Sequence, residues 1–200
     1  MADGESRSPE LVWSGETGAR SCARATRYVI EDLFAGARRS VLVAGYSFDH
    51  ASELFAPLRR RAEGLLALGE ACPSVRVILD CSRIQAQPGD GPEDLARRAA
   101  EGFRRMCWPD GPLRPRLQYY RPSTERSPQG LAPYSMHAKC IIVDGEKALV
   151  GSANFSTRGR DNRSLEVGAL IGDHPFVQSL LAAWEDVRDQ LVDVAPVGDR

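Results

Sequence analysis

Hydrophobic and polar positions along the 200-residue chain follow two periods. Short runs rich in β-branched residues predict strands over 11–13, 41–48, 75–80, 117–122, 136–143, 147–150 and 165–171. Longer segments with apolar residues three to four positions apart predict helices over 21–38, 52–68, 92–106 and 175–191. Because strands alternate with helices, the pattern predicts an α/β fold with a mixed β-sheet sandwiched by helices.

Two of the predicted helices carry apolar stripes that we expect to pack on the sheet. In the first helix the stripe comprises Tyr28, Val29, Leu33 and Phe34. In the last helix it comprises Phe176, Leu180, Leu181, Trp184, Val187 and Leu191. Residues 1–10 are polar and predict a disordered tail, which leaves residues 11–195 as a single domain.

The most specific stretch of the chain reads H-A-K-C-I-I-V-D-G-E-K-A-L-V-G-S-A-N over residues 137–154. Because side chains two apart share a face of a strand, His137 and Lys139 are expected to point the same way. Asp144 and Gly145 form a hairpin signal, so the chain should return beside this strand. Gly151 then permits a close backbone approach, and the pair that follows it, Ser152 and Asn154, is expected beside His137 and Lys139.

This stretch combines an imidazole, an ammonium, a hydroxyl and a carboxamide, all of which bind or attack phosphoryl groups. Downstream, Glu166 begins an otherwise apolar strand. A carboxylate beside an imidazole fixes its tautomer and stabilises the imidazolium form. His137 is therefore the candidate nucleophile, and Glu166 is the residue expected to orient it.

The stretch resembles the HKD motif of the phospholipase D superfamily, H-x-K-x4-D-x6-G-S-x-N, without departure. The resemblance implies that His137 attacks phosphorus, or acts as the acid, through a phosphohistidine intermediate. It implies that Lys139, Ser152 and Asn154 hold the phosphate oxygens and that Glu166 orients His137. Asp144 and Gly151 belong to the motif, but a turn aspartate before glycine has a structural explanation.

Other segments extend the resemblance to single-copy, nuclease-like members of the superfamily. V-L-V-A-G-Y-S-F (41–48), V-R-V-I-L-D (75–80) and L-Q-Y-Y-R-P (117–122) occur in the order of the strands of those members. The opening E-L-V-W-S-G, the C-W-P segment at 107–109 and S-M-H-A-K-C resemble the phospholipase-D-like component of DISARM phage-defence systems. That resemblance implies a role in bacterial antiviral defence, with other defence proteins as partners.

Composition narrows the class of protein. The net charge of −1 excludes a globally basic nucleic-acid binder but leaves room for a local basic groove. No apolar run is long enough to cross a bilayer, and the N-terminus lacks a signal-peptide core, so a cytoplasmic location without membrane contact is expected. The five cysteines show no C-x-x-C spacing, so we predict no metal site and no cofactor.

The motif occurs once, which sets the expected assembly. His50 and His174 have no lysine two positions later, so neither belongs to a second copy. Chemistry through a phosphohistidine requires a nucleophile and a general acid. We therefore predict a homodimer in which two copies of His137 share one cleft.

The predicted substrate is a nucleic acid, with DNA as the first candidate. Seven arginines are candidates for lining a groove: Arg114, Arg116, Arg121, Arg126, Arg158, Arg160 and Arg163. A solvated loop explains them equally well. Two other functions compete with a nuclease: a lipid phosphodiesterase or phosphatidyltransferase, and a non-catalytic nucleic-acid-binding subunit of a defence complex.

Overall fold

The computed structural model of the chain describes residues 8–15, 23–108, 111, 113–156 and 164–194. In these ranges the strands are β1 (Glu10–Ser14), β2 (Arg24–Ala25), β3 (Ser40–Gly45), β4 (Phe48–Asp49), β5 (Ser74–Leu79), β6 (Arg116–Tyr120), β7 (Lys139–Val143), β8 (Lys147–Gly151), β9 (Phe155–Ser156), β10 (Glu166–Ile171) and β11 (Leu191–Asp193). The helices are α1 (Thr26–Ala35), α2 (Ser52–Ala67), α3 (Pro92–Cys107) and α4 (His174–Asp186).

Nine strands form one mixed sheet in the order β11-β6-β5-β3-β7-β8-β10-β1-β2. Strands β3, β5 and β6 run parallel, whereas β7, β8, β10 and β1 pair antiparallel in succession. The short strands β4 and β9 pair with each other in a second, two-stranded sheet. One end of the large sheet therefore gathers the ends of β3, β5 and β8 and the starts of β7 and β10.

Helices cover both faces of the sheet, which confirms the predicted α/β architecture. On one face, β-sheet residues such as Val43 and Ile141 pack with Phe34, Phe55 and Phe103 from α1, α2 and α3. On the other face, residues such as Ala44 and Ile142 pack against Val177 and its neighbours on α4. Alternate residues of β3 and β7 thus enter opposite cores, which explains why both strands are apolar throughout.

Several predicted boundaries differ from the structure. The first helix begins at Thr26 rather than at residue 21, because Arg24 and Ala25 pair with β1 as a strand. Its predicted contact residue Tyr28 is 62% exposed, and Ile30 packs in the core instead. Strand β1 begins at Glu10, which was assigned to the tail, and it pairs with β10 on one side and with β2 on the other.

The C-terminal helix is shorter than predicted. It ends at Asp186, and Leu191 belongs to β11, which pairs with β6 and so satisfies its backbone groups in the sheet. Phe176 is half-exposed, and the fully buried position is Val177. The contact stripe is therefore displaced by one residue from the predicted one at the start of the helix.

Candidate active site

His137 and Lys139 meet at the end of the sheet where β7 begins. The strand starts at Lys139, which pairs with Gly45 of β3, so the predicted strand over 136–143 is three residues too long. His137 is exposed, whereas Lys139 is only 7% exposed. The Lys139 ammonium donates a hydrogen bond to the His137 carbonyl oxygen at 2.8 Å, which ties the two motif residues together.

Tyr46, which directly follows β3, is the aromatic neighbour of both residues. The ring centroids of Tyr46 and His137 are 4.4 Å apart, and the Lys139 Nζ lies 5.0 Å from the centre of the Tyr46 ring. Cation–π attraction to such a ring stabilises an ammonium, and it stabilises an imidazolium in the same way. Tyr46 was not among the residues predicted for the site, although a polar aromatic residue directly after a buried strand was a usable signal.

Ser152 and Glu166 form the other side of the site. Ser152 extends the ladder between β8 and β10 by donating its backbone N–H to the Val167 carbonyl at 3.0 Å. Its hydroxyl donates to Glu166 Oε2 at 2.5 Å and accepts the Val167 N–H at 3.1 Å. Within the described ranges no hydrogen bond joins Glu166 to His137, so the carboxylate is held by the serine.

The electrostatics of Lys139 reflect its burial. Desolvation by burial lowers the pKa of Lys139, while the charges of Glu166 and Asp80 act against that shift. The ammonium is therefore a buried cation with two carboxylates near it and few direct partners. Such a group gains from an anionic ligand, because a phosphate oxygen would restore the solvation that burial removes.

Gly151 is the last residue of β8, and Asn154 follows three residues later. Together with Lys139 they line a small, mostly apolar cavity beneath the site. The Asn154 Oδ1 atom is buried and has no hydrogen-bond partner within the described ranges. A Cβ at Gly151 would lie 3.0 Å from the Val167 carbonyl oxygen, so a larger residue would push β8 away from β10.

Asp144 lies at the opposite end of β7 from Lys139. Its carboxylate accepts the backbone N–H groups of Arg38, Arg39 and Ser40 at 2.7 to 3.2 Å. Asp144 also has a positive φ of 57° in the hairpin turn, a conformation that aspartate tolerates better than most residues. These contacts join the hairpin to the segment between α1 and β3, a structural function.

Asp80 is a second residue that the sequence analysis did not assign to the site. It follows β5 and is 8% exposed. Its carboxylate accepts the Met136 N–H at 2.7 Å, and the backbone N–H and hydroxyl of Ser82 donate to it as well. Because Met136 precedes His137, this buried carboxylate fixes the segment that carries the candidate nucleophile.

Four of the seven candidate groove arginines lie in the described residues, and one of these, Arg114, is exposed. Arg158, Arg160 and Arg163 lie outside the described residues. Arg126 donates to the carbonyl groups of four residues, Ser123, Glu125, Cys81 and Ile84. Arg116 pairs with Asp193, and Arg121 donates to the Asp189 carbonyl. These three side chains therefore hold loops and strand ends together.

Among the residues that the structure describes, the remaining reactive groups form no second centre. His50 lies 3.4 Å from Asp49, both side chains being mostly exposed. Burial raises the pKa of Cys81 to about 12 and that of Cys107 and Cys140 to about 11, so these thiols stay protonated at neutral pH. Across the described ranges no group of three or more His, Cys, Asp or Glu side chains is arranged to hold a metal ion. The helices of those ranges also include none that is long and apolar enough to span a membrane.

The chain is similar to several known proteins. Residues 30–187 match the family described as cardiolipin synthase, PLD-like domain. The DISARM protein DrmC of Bacillus paralicheniformis is 30% identical over 150 residues, which are 74% of this chain and 50% of that protein. Phospholipase D zeta 1 of Arabidopsis thaliana is 37% identical over 67 residues, which are 33% of this chain and 6% of that enzyme. The chain thus matches at most half the length of either relative.

A solved structure shares the fold. The phospholipase D family member Nuc from Salmonella typhimurium superposes with a TM-score of 0.54 and 17% sequence identity. The superposition covers 93% of this chain and 97% of Nuc. At this level of identity the likeness concerns the architecture, and the chemistry has to be argued from the residues of this chain.

Proposed function

The chain belongs to the phospholipase D superfamily, and from this premise we propose that it is a metal-independent phosphodiesterase that cleaves nucleic acid. The predicted resemblance to the superfamily and to a DISARM protein is confirmed, and the fold is that of phosphodiesterase-type hydrolases. DNA as the substrate and bacterial phage defence as the setting belong to the proposal. The observation that carries it is the cluster of His137, Lys139, Ser152, Asn154 and Glu166 at one end of the sheet.

The proposed reaction has two displacements. An imidazole nitrogen of His137 attacks the phosphorus, and the bond to the leaving oxygen breaks. A second His137, from a second copy of the chain, gives that oxygen its proton. Water then attacks the phosphohistidine, the second histidine takes the proton of the water, and the phosphorus–nitrogen bond breaks. Both imidazoles return to their starting states, so no metal or cofactor is needed.

The other residues of the cluster have distinct roles in this proposal. Lys139 and Asn154 bind the non-bridging phosphate oxygens, and the Lys139 charge offsets the negative charge that develops in the transition state. Ser152 binds a phosphate oxygen through its hydroxyl. Glu166, which holds that hydroxyl in the free protein, turns to the imidazole of His137 when phosphate replaces it as the serine's partner. The charge of Glu166 then stabilises the imidazolium form.

A cleavage assay in EDTA separates this function from its competitors. Single- and double-stranded DNA, RNA and phospholipid vesicles are incubated with the wild-type chain and with His137→Ala. We expect DNA cleavage that persists in EDTA and disappears in the variant. Cleavage of lipid alone would support a lipid phosphodiesterase, and binding of DNA without cleavage would support a non-catalytic subunit. A requirement for added magnesium would contradict the mechanism.

Two further variants separate binding from chemistry. Lys139→Ala is expected to weaken phosphate binding as well as the rate, because the ammonium contacts the phosphate in both the ground state and the transition state. Glu166→Gln is expected to lower mainly kcat, because its charge stabilises a cation that forms during the reaction. Equal effects of the two variants on KM would contradict these roles.

A further inference from the structure

An open cleft of about 320 Å³ adjoins the candidate site at Tyr46. Its walls come from the segments that follow β3 and β5 and from α3. Tyr46 belongs both to this cleft and to the site, because its ring also contacts His137 and Lys139. A substrate whose phosphate lies at His137 therefore has an adjoining space into which its next part can extend.

Arg83 is the cation that this cleft presents to solvent. Its guanidinium carbon lies 5.7 Å from the centre of the Tyr46 ring, and its Nη1 donates to the Ser47 hydroxyl at 3.3 Å. No carboxylate of the described ranges lies within ion-pair distance of it, whereas Arg76 and Arg116 are paired. The ring and the hydroxyl hold the guanidinium in place and leave donors available for an anion.

The other charged groups of the cleft are already engaged. Arg98 is paired with Asp90. Asp80 accepts hydrogen bonds from Met136 and Ser82. Asp49 lies near His50 at 3.4 Å. Arg83 is thus the cation of this cleft, within the described ranges, that has no carboxylate partner.

The shared ring limits the distance between Arg83 and the candidate nucleophile. Both lie against Tyr46, so their separation is no greater than the sum of the 5.7 Å and 4.4 Å distances to that ring. We propose that Arg83, supported by Tyr46 and Ser47, binds a second phosphate, the one next to the scissile phosphate on the same nucleic-acid strand. This proposal rests on the proposed function, and it narrows the substrate to chains with neighbouring phosphodiesters.

The two cations differ in chemistry, which suits them to bind different phosphates. Lys139 is a compact, buried point charge that meets one oxygen, whereas the planar guanidinium of Arg83 can bind two oxygens of an exposed phosphate. A contact to a neighbouring phosphate carries no base sequence information, so the cleft should position a strand without selecting its sequence. A diester with a single phosphate makes no use of Arg83.

The test compares two substrates in EDTA. One is a fluorescent single-stranded DNA octamer, and the other is bis(p-nitrophenyl) phosphate, which has one phosphodiester and no neighbour. Preference for the octamer is expressed as the ratio of the two kcat/KM values. In Arg83→Ala we expect this ratio to fall about tenfold, with a smaller fall in Arg83→Lys. Arg60→Ala removes an exposed charge from α2, outside the cleft, and should leave the ratio unchanged.

Failure of the Arg83 subsite can be distinguished from failure of the proposed function. An unchanged ratio in Arg83→Ala, or one that falls equally in Arg60→Ala, overturns the subsite and leaves the proposed function standing. If the wild-type chain cleaves neither substrate, fluorescence anisotropy of octamer binding decides. About tenfold weaker binding by Arg83→Ala, with a salt dependence reduced by about one phosphate contact, supports the subsite. Unchanged DNA binding by Arg83→Ala overturns it. So does a result in which Arg83→Ala weakens binding to cardiolipin vesicles but not to DNA.

Discussion

Lys139 shows how one residue can serve a site at a cost to the fold. Its ammonium is buried, and its direct partners are a carbonyl and an aromatic ring rather than a carboxylate. Burial of a charge without a paired counter-ion opposes folding. The pKa of Lys139 is lowered because the same burial destabilises its charged form. A residue with this environment is explained by a ligand that brings the missing negative charge.

The pH dependence of stability tests this view of Lys139. Because its pKa in the folded protein lies below that of an unfolded lysine near 10.5, the unfolded chain binds more protons in the alkaline range. The cost of the buried charge is therefore full at neutral pH and disappears as pH rises through the lowered pKa towards 10.5. We expect Lys139→Met to be at least as stable as wild type at pH 7. That advantage should shrink by pH 10 in thermal denaturation, and a constant difference would contradict a buried charged lysine.

The Ser152–Glu166 pair offers a second test with single residues. A hydrogen bond from a hydroxyl to a carboxylate is stronger than one between neutral groups, and partial exposure of this pair weakens it. A double-mutant cycle with Ser152→Ala and Glu166→Gln is expected to give a coupling free energy of unfolding of about 1 kcal/mol. Urea denaturation measures it, and additive effects would show that the bond contributes nothing to stability.

The motif residues were predictable from sequence because their fixed spacing around one hairpin brings them to the same end of the sheet, although His137, Ser152 and Asn154 lie just outside β7 and β8. Tyr46 and Asp80 were not found, because Tyr46 reaches His137 from the end of β3 and Asp80 reaches Met136 from the end of β5, and only the order β5-β3-β7 brings them together. The contact of Glu166 with Ser152 was also missed. The prediction paired the carboxylate with the imidazole, whereas the serine is the neighbour across the ladder between β8 and β10.

At the scale of elements, the short strands β4 and β9 connect two segments of the site. They pair with each other, and Phe155 donates its backbone N–H to the Ser47 carbonyl at 3.1 Å. The rings of Phe48 and Phe155 stack with centroids 5.2 Å apart over Gly45. The segment with Tyr46 is thereby joined to the segment with Asn154, although the two are distant in sequence.

Gly45 tests the importance of this joint. A Cβ there would lie 2.5 Å from the Phe48 ring and 2.6 Å from the Phe155 ring, so both rings would have to move. We expect Gly45→Ala to lower the free energy of unfolding by about 1–3 kcal/mol and to reduce the proposed nuclease activity. Gly64→Ala is the matched control, because a Cβ at this position in α2 meets nothing within 4 Å. That variant should be neutral or stabilised by up to about 1 kcal/mol, and equal losses in both variants would contradict the account.

The boundaries predicted from the sequence agree with the structure where local sequence signals are strong. They differ where strand pairing determines the boundary. Helix α2 was predicted to within one residue, and α3 begins at the proline that favours a first turn. The strand over 136–143 was predicted too long, because the Met136 N–H bonds to Asp80 instead of a neighbouring strand. The apolar residues around it give no sign of that partner.

At the scale of the whole molecule, the sheet presents one motif and one exposed His137. The double displacement needs two histidines with different tasks, so the proposed mechanism requires a second copy of the chain. A two-fold axis through the open end of the sheet would bring the two His137 side chains into one cleft. Dimerisation thus remains a prediction, and it makes the site described here half of an active centre.

Mixing wild-type and His137→Ala subunits tests this account most directly. The two forms are unfolded together, refolded in equal amounts and assayed for DNA cleavage in EDTA. If each centre needs His137 from both copies, only dimers with two wild-type subunits are active. The activity of the mixture should then be about a quarter of that of the same total amount of wild-type protein. His137→Ala alone should be inactive. Activity of about half, or cleavage by the variant alone at the wild-type rate, would contradict the account.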